Sequence, residues 1–212
     1  MQDLLRKGIA YYREHGKLFV STASLYYGIV LGVALVVSVM PGGPELQEAL
    51  IEEAAAGIGT TFPGLLEAYL SNPALAVAYT FLVNLALGSI LYITLPGLLL
   101  FVLAPLLAFY RAFAWGIIFA PTQPGILLIG LPTILAEGFG YILAVVPSIR
   151  VGLSWMLPKL AFRGEQITRK QAFLRGLSEL GPAYVIVAIA LLIAALVEVG
   201  TTQLLILLVP TP

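Results

Sequence analysis

Five apolar runs fix what this chain can fold into: 18–40, 73–95, 98–120, 125–146 and 180–199. Each reaches the roughly 20 residues that a helix needs to cross a hydrocarbon core about 30 Å thick. Inside lipid the backbone must satisfy its own hydrogen bonds, which leaves helices or a closed barrel. Runs that stay apolar, without the alternation of barrel strands, select helices. Only 10% of the 212 residues are charged, against about 25% in a soluble domain. The fold class read from the sequence is therefore all-α: a polytopic membrane helical bundle with about five transmembrane helices plus interfacial helices. Residues 1–212 form a single membrane domain.

The segments between the runs read as follows. Residues 1–17 mix charges with Leu4, Leu5, Ile9, Tyr11 and Tyr12, the pattern of an amphipathic helix lying at the membrane surface. This polar start, and a first apolar run too long for a signal core, predict no cleaved signal peptide. Pro41-Gly42-Gly43-Pro44 ends the first span. Residues 45–72 form an extracytoplasmic helical segment of one or two interfacial or re-entrant helices. In it Glu45, Glu48, Glu52 and Glu53 make a solvated face. Pro96-Gly97 and Pro121-Thr122-Gln123-Pro124 read as tight turns, and Pro147 as the end of the fourth span. Residues 148–171 make a basic loop in which Trp155, Met156 and Leu157 dock at the interface. That loop contacts anionic lipid heads or docks a cytoplasmic partner. Residues 173–179 lead into the fifth span. The apolar stretch 204–209 is too short to cross.

Basic residues set the orientation. Arg6, Lys7, Arg13 and Lys17 precede the first span, and Arg150, Lys159, Arg163, Arg169, Lys170 and Arg175 lie between the fourth and fifth. Five spans put both groups on one side, while the loops on the other side carry no Lys or Arg. The positive-inside rule then predicts a multi-pass protein of the cell membrane with its N-terminus cytoplasmic and its C-terminus extracytoplasmic.

Three polar residues sit near the middle of successive spans: Asn84, Arg111 and Glu137. An ionisable group at that depth costs roughly 2.5–3.5 kcal/mol on the lenient insertion scale, so packing or function must hold it there. Arg111 and Glu137 lie on adjacent antiparallel spans at matching heights. They read either as a binding site on a solute, ion or proton path or as a structural pair that fixes helix register. Asn84 reads as a hydrogen bond across helices. Tyr141 lies one turn from Glu137 on the same face, and Tyr79, Tyr92 and Tyr110 are near enough in sequence to join a network. Pro105 and Pro132 fall within spans and free the carbonyls of Phe101 and Leu128, making kinks or packing adaptations. Gly28 and Gly32 form a G-x-x-x-G, a spacing found at helix dimer faces.

The residue inventory excludes several chemistries. There is no Cys, the one His is His15 and the one Asp is Asp3. Thiolate metal sites, a hydrolytic zinc site and an aspartyl dyad are therefore absent. No phosphate-binding G-x-x-x-x-G-K-[ST] loop occurs. No catalytic residue, metal or cofactor is expected, and no nucleic acid. The expected partners are the lipid bilayer and a homo-oligomer or other membrane proteins.

The fourth span also carries a resemblance. Leu131-Pro132-Thr133-Ile134-Leu135-Ala136-Glu137, then Ser148-Ile149-Arg150-Val151-Gly152, is similar to the signature of the stage II sporulation protein M family. That family has Leu-Pro-His-Gly-x-x-Glu and, a helix length later, Gly-Leu-Arg-x-Gly. Phe81-Leu82-Val83-Asn84 resembles its Phe-x-x-Asn. Pro132, Glu137 and Arg150 match by spacing. Thr133 replaces the usual His, Ile134 the Gly, and Arg111 stands roughly where Asn is common. The resemblance implies a membrane location and a role in a complex. The family's sporulation member organises a peptidoglycan-degrading complex during engulfment. The expected function is a non-enzymatic integral membrane protein, a scaffold or transporter-like component with a buried polar site. The alternative is a channel or small-solute transporter in its own right, with Arg111 and Glu137 lining the path.

Overall fold

Pro147, expected to end a helix, lies inside one. The computed structural model describes residues 2–122, 126–163 and 165–208. In it helix α8 (Ile126–Met156) continues past Pro147 for another nine residues to Met156. A proline removes the bond to the carbonyl four residues earlier, here that of Leu143. The Tyr12 hydroxyl donates to that carbonyl at 2.8 Å. Tyr12 comes from α1 (Gln2–Glu14), the expected amphipathic helix. The surface helix thus supplies the hydrogen bond that the proline withholds.

The described residues form helices and no strand. Helix α2 (Gly16–Val39) is the first long apolar helix. The turn that follows it contains Gly42, whose φ of 78° only glycine adopts freely. Helices α3 (Gly43–Thr61) and α4 (Pro63–Ser71) are the expected pair between the first two spans, and the four glutamates at 45–53 are exposed. A continuous helix over Pro73–Leu99 follows. It comprises α5 (Pro73–Leu82), a π segment (Val83–Thr94) and α6 (Leu95–Leu99). Then come α7 (Leu103–Ile118), α8, the short α9 (Pro158–Ala161) and α10 (Arg169–Leu208).

Four helices are long and apolar enough to cross a membrane: Gly16–Val39, Pro73–Leu99, Gly130–Met156 and Arg169–Leu204. A fifth apolar helix, α7, has 16 residues and so spans about 24 Å at 1.5 Å per residue. Buried residues make up 72% of the most apolar window of α8 and 28% of each of the other three. Helix α8 is therefore the axis of the bundle, with its neighbours facing lipid on their outer sides.

Several boundaries differ from the sequence reading. Pro96-Gly97 is helical in α6, and the chain breaks at 100–102 instead. Pro96 falls where the ladder changes from π to α, in the first turn of α6, where its missing N–H costs least. Pro105 likewise sits in the first turn of α7 and frees no intrahelical carbonyl. Of the turn at 121–124, residues 123 and 124 lie outside the described residues. The basic loop is largely helical: 148–156 belongs to α8, and Ser148, Val151 and Ser154 are buried. The stretch 204–208 continues α10 and forms no separate element. Gly28 and Gly32 face away from the bundle, with open space beside each.

Gly152 explains part of the Arg-x-Gly pattern. A Cβ there would stand 2.3 Å from the Gly97 carbonyl oxygen, so α8 and α6 approach as only glycine permits. Arg150 donates to the Ala161 carbonyl at 3.0 Å and stacks over Phe162. It ties the end of α8 to the turn after α9.

Candidate functional site: a polar cavity within the bundle

The π segment builds one wall of the site. Its buried residues are Asn84, Gly88, Ser89, Ile93 and Thr94, a spacing of four or five residues. An α-helix would turn these positions apart, whereas i→i+5 hydrogen bonding aligns every fifth residue on one face. Asn84, Ser89 and Thr94 consequently all face the core. Ser89 and Thr94 join Tyr184 of α10 and Ser148 of α8 in a hydroxyl network. Asn84, one turn away, enters a different group.

Asn84 connects two residues of α8. Its Nδ2 donates to Glu137 Oε1 at 2.6 Å, and its Oδ1 accepts from the Tyr141 hydroxyl at 2.8 Å. Glu137, Asn84 and Tyr141 are 4%, 5% and 0% exposed. The three polar groups therefore satisfy one another inside the bundle. Gly88 makes room for this arrangement, since a Cβ there would lie 2.9 Å from the Tyr141 ring and hydroxyl.

Arg111 stands beside this chain without pairing to Glu137: among the described residues it forms no ion pair. Its guanidinium carbon lies 4.3 Å from the Tyr141 ring centre and 5.3 Å from that of Trp115. Stacking on aromatic faces stabilises a desolvated cation by about 2 kcal/mol. Its Nε is buried and, among the described residues, has no hydrogen-bond partner. The direct Arg111–Glu137 pairing, one of the two sequence readings, is not formed among the described residues: Asn84 holds the carboxyl and aromatic rings hold the cation.

Asn84, Glu137, Arg111 and Trp115 line one cavity of about 610 Å³, together with Thr133, Thr80 and Glu198, and Tyr141 supports them from outside its lining. Helices α3 and α4 close it on one side through Gly57, Phe62 and Leu65. Glu198 of α10 meets Glu137 side chain to side chain, a carboxyl–carboxyl hydrogen bond on the cavity wall. Its Oε1 accepts from Tyr69 of α4 at 2.7 Å, and Tyr69 also meets Thr80 at 2.8 Å. The site thus gathers two carboxyls and one guanidinium. Among the described residues no three His, Cys, Asp or Glu side chains are grouped to hold a metal.

The structure brings together all four sequence candidates, Asn84, Arg111, Glu137 and Tyr141. Pro132 and Arg150 lie outside this cavity. Tyr79 and Tyr110 point outward and do not join the network. Sequence reasoning missed Glu198, Tyr69 and Trp115. Glu198 is the one charged residue of the run 180–199. It stands one residue from the end of that run, where a charge reads as interfacial. Tyr69 carried no signal, since its role depends on how α4 folds back.

The family model of stage II sporulation protein M matches residues 21–203. The chain belongs to this family. No curated protein and no solved structure matches it. The matched residues include every polar side chain that lines the cavity. Thr133, at the position where the sporulation protein M signature carries His, is among them. This member's departure from that signature therefore lies inside the site.

Proposed function

We propose that this protein is a non-enzymatic, transporter-like component of the cell membrane whose cavity takes up a small polar solute. The observation that carries the reading is the convergence of Asn84, Arg111, Glu137 and Glu198 from four helices on one cavity of about 610 Å³. Ligand pockets typically measure roughly 300–1,000 Å³ and hold a few polar groups among apolar walls. Ionisable groups at membrane depth face cavities and mark solute or proton paths. Tyr12 and His15 approach α8, near Arg150. This proximity supports grouping the basic residues at one end, with the N-terminus cytoplasmic.

Reconstituted protein tests the reading. Proteoliposomes screened with small polar solutes and protons are expected to show flux, lost in Glu137→Gln and in Arg111→Gln while both variants stay folded. Absence of flux in the wild-type protein, with Glu137→Gln altering assembly or abundance in cells, would favour the scaffold role. Silence of both variants in both assays removes any function from the cavity.

A further inference from the structure

A second concavity lies at the other end of the bundle, away from the polar cavity. It measures about 650 Å³ and runs between α6, the end of α8 and the start of α10. Leu95, Leu99, Trp155 and Phe173 make its walls, and Arg169 and Lys170 stand at its rim. Trp155 is held in place by its indole N–H, which donates to the Leu98 carbonyl at 2.6 Å.

Among the described residues the rim charges have no counter-ion. Arg175 is engaged by Glu165 at 2.6 Å, but Arg169 and Lys170 form no ion pair among the described residues. Both are exposed. They also begin α10, where the positive end of the helix dipole adds to the local potential. Walls and rim change character over a short distance, from wholly apolar to doubly cationic. A phospholipid changes in the same way, from acyl chain to phosphate. Tryptophan at such a boundary is typical of the headgroup level. A soluble anion would leave the apolar walls unfilled, and a headgroup without net charge would leave the two cations unneutralised.

We propose that this groove is a binding site for one anionic phospholipid, with its acyl chain against Leu95, Leu99 and Phe173 and its phosphate on Arg169 and Lys170. The site is independent of the polar cavity and of any solute it takes. It differs from general attraction to the basic region, because Lys159 and Arg163 do not line it.

Trp155 is a built-in probe. The chain has two tryptophans, so Trp115→Phe leaves Trp155 alone. This variant is reconstituted in phosphatidylcholine vesicles containing a small fraction of brominated lipid, either phosphatidylglycerol or phosphatidylcholine. Brominated phosphatidylglycerol is expected to quench Trp155 at a lipid fraction at least about tenfold lower, given about fivefold for each basic residue at a membrane surface. Arg169→Gln with Lys170→Gln should abolish the preference, and Lys159→Gln with Arg163→Gln should keep it. Equal quenching by the two lipids overturns the proposal. So does a preference that survives the first pair of substitutions or disappears with the second. Loss of the preference in millimolar inorganic phosphate would assign the rim to a soluble anion, and likewise overturns it.

Discussion

Asn84 shows how much one side chain organises here. Its side chain bridges Glu137 and Tyr141, using its amide donor for one and its carbonyl for the other. Asn84→Leu removes both bonds, one from a buried carboxyl and one from a buried hydroxyl. The expected loss is about 2–3 kcal/mol, as for a hydrogen bond to a charged group, measured by denaturant titration in micelles. Tyr141→Phe removes one neutral bond and should cost about 1 kcal/mol. Gly152→Ala forces a Cβ against the Gly97 backbone, which cannot swing aside. The expected destabilisation is about 1–3 kcal/mol, and thermal unfolding of the purified variant reads it. Asn84, Arg111, Glu137 and Tyr141 were legible in the sequence because polarity at membrane depth is conspicuous. Their pairing was not, because it depends on which side of each helix faces inward.

Elements contribute through hydrogen bonds that cross between them. Pro147 and Tyr12 form one such unit, with the α1 hydroxyl on the Leu143 carbonyl. Tyr12→Phe should cost about 1 kcal/mol. In a Pro147→Ala background, where an N–H returns to bond Leu143, it should cost less. A double-mutant cycle measures that coupling. The junction of α1 and α2 also responds to pH. Burial, and then the charge of Arg150, hold the His15 imidazole below its ordinary value of 6.5. The unfolded segment therefore binds the proton first, so stability is full above that value and falls as pH drops through it. Acidification from about pH 7.5 to about 5.5 should reduce amide exchange protection in α1, and His15→Asn should abolish the effect. The π segment is an element that periodicity could not reveal, since its apolar content is compatible with either helix. Only the neighbours that take Asn84, Ser89 and Thr94 distinguish the two.

At the scale of the molecule, α8 is wrapped by the other helices, and α3 and α4 close the polar cavity from one end. The chain has no Cys, so each introduced thiol is a lone reporter. Thr61→Cys, lining the cavity beside α4, should react with an impermeant maleimide added outside intact cells. A thiol placed within 165–168 should react only after the membrane is opened. Reversed labelling would invert the orientation. Protection of both thiols in every condition would remove the cavity's opening to water.

The sequence by itself determined the class of fold, because long apolar runs admit only helices in lipid, and it determined where polar groups enter those runs. It also carried the family signature at Pro132, Glu137 and Arg150. Helix ends were less legible: Pro96 and Pro147 read as breaks, yet tertiary partners and a register change absorb both. Tertiary structure alone decided that Arg111 rests on aromatic rings instead of on Glu137, and that Glu198 and Tyr69 complete the site. The physical reason is that depth in a membrane is nearly linear in sequence. The direction a side chain faces, and whatever lies opposite it, depend on how the helices pack.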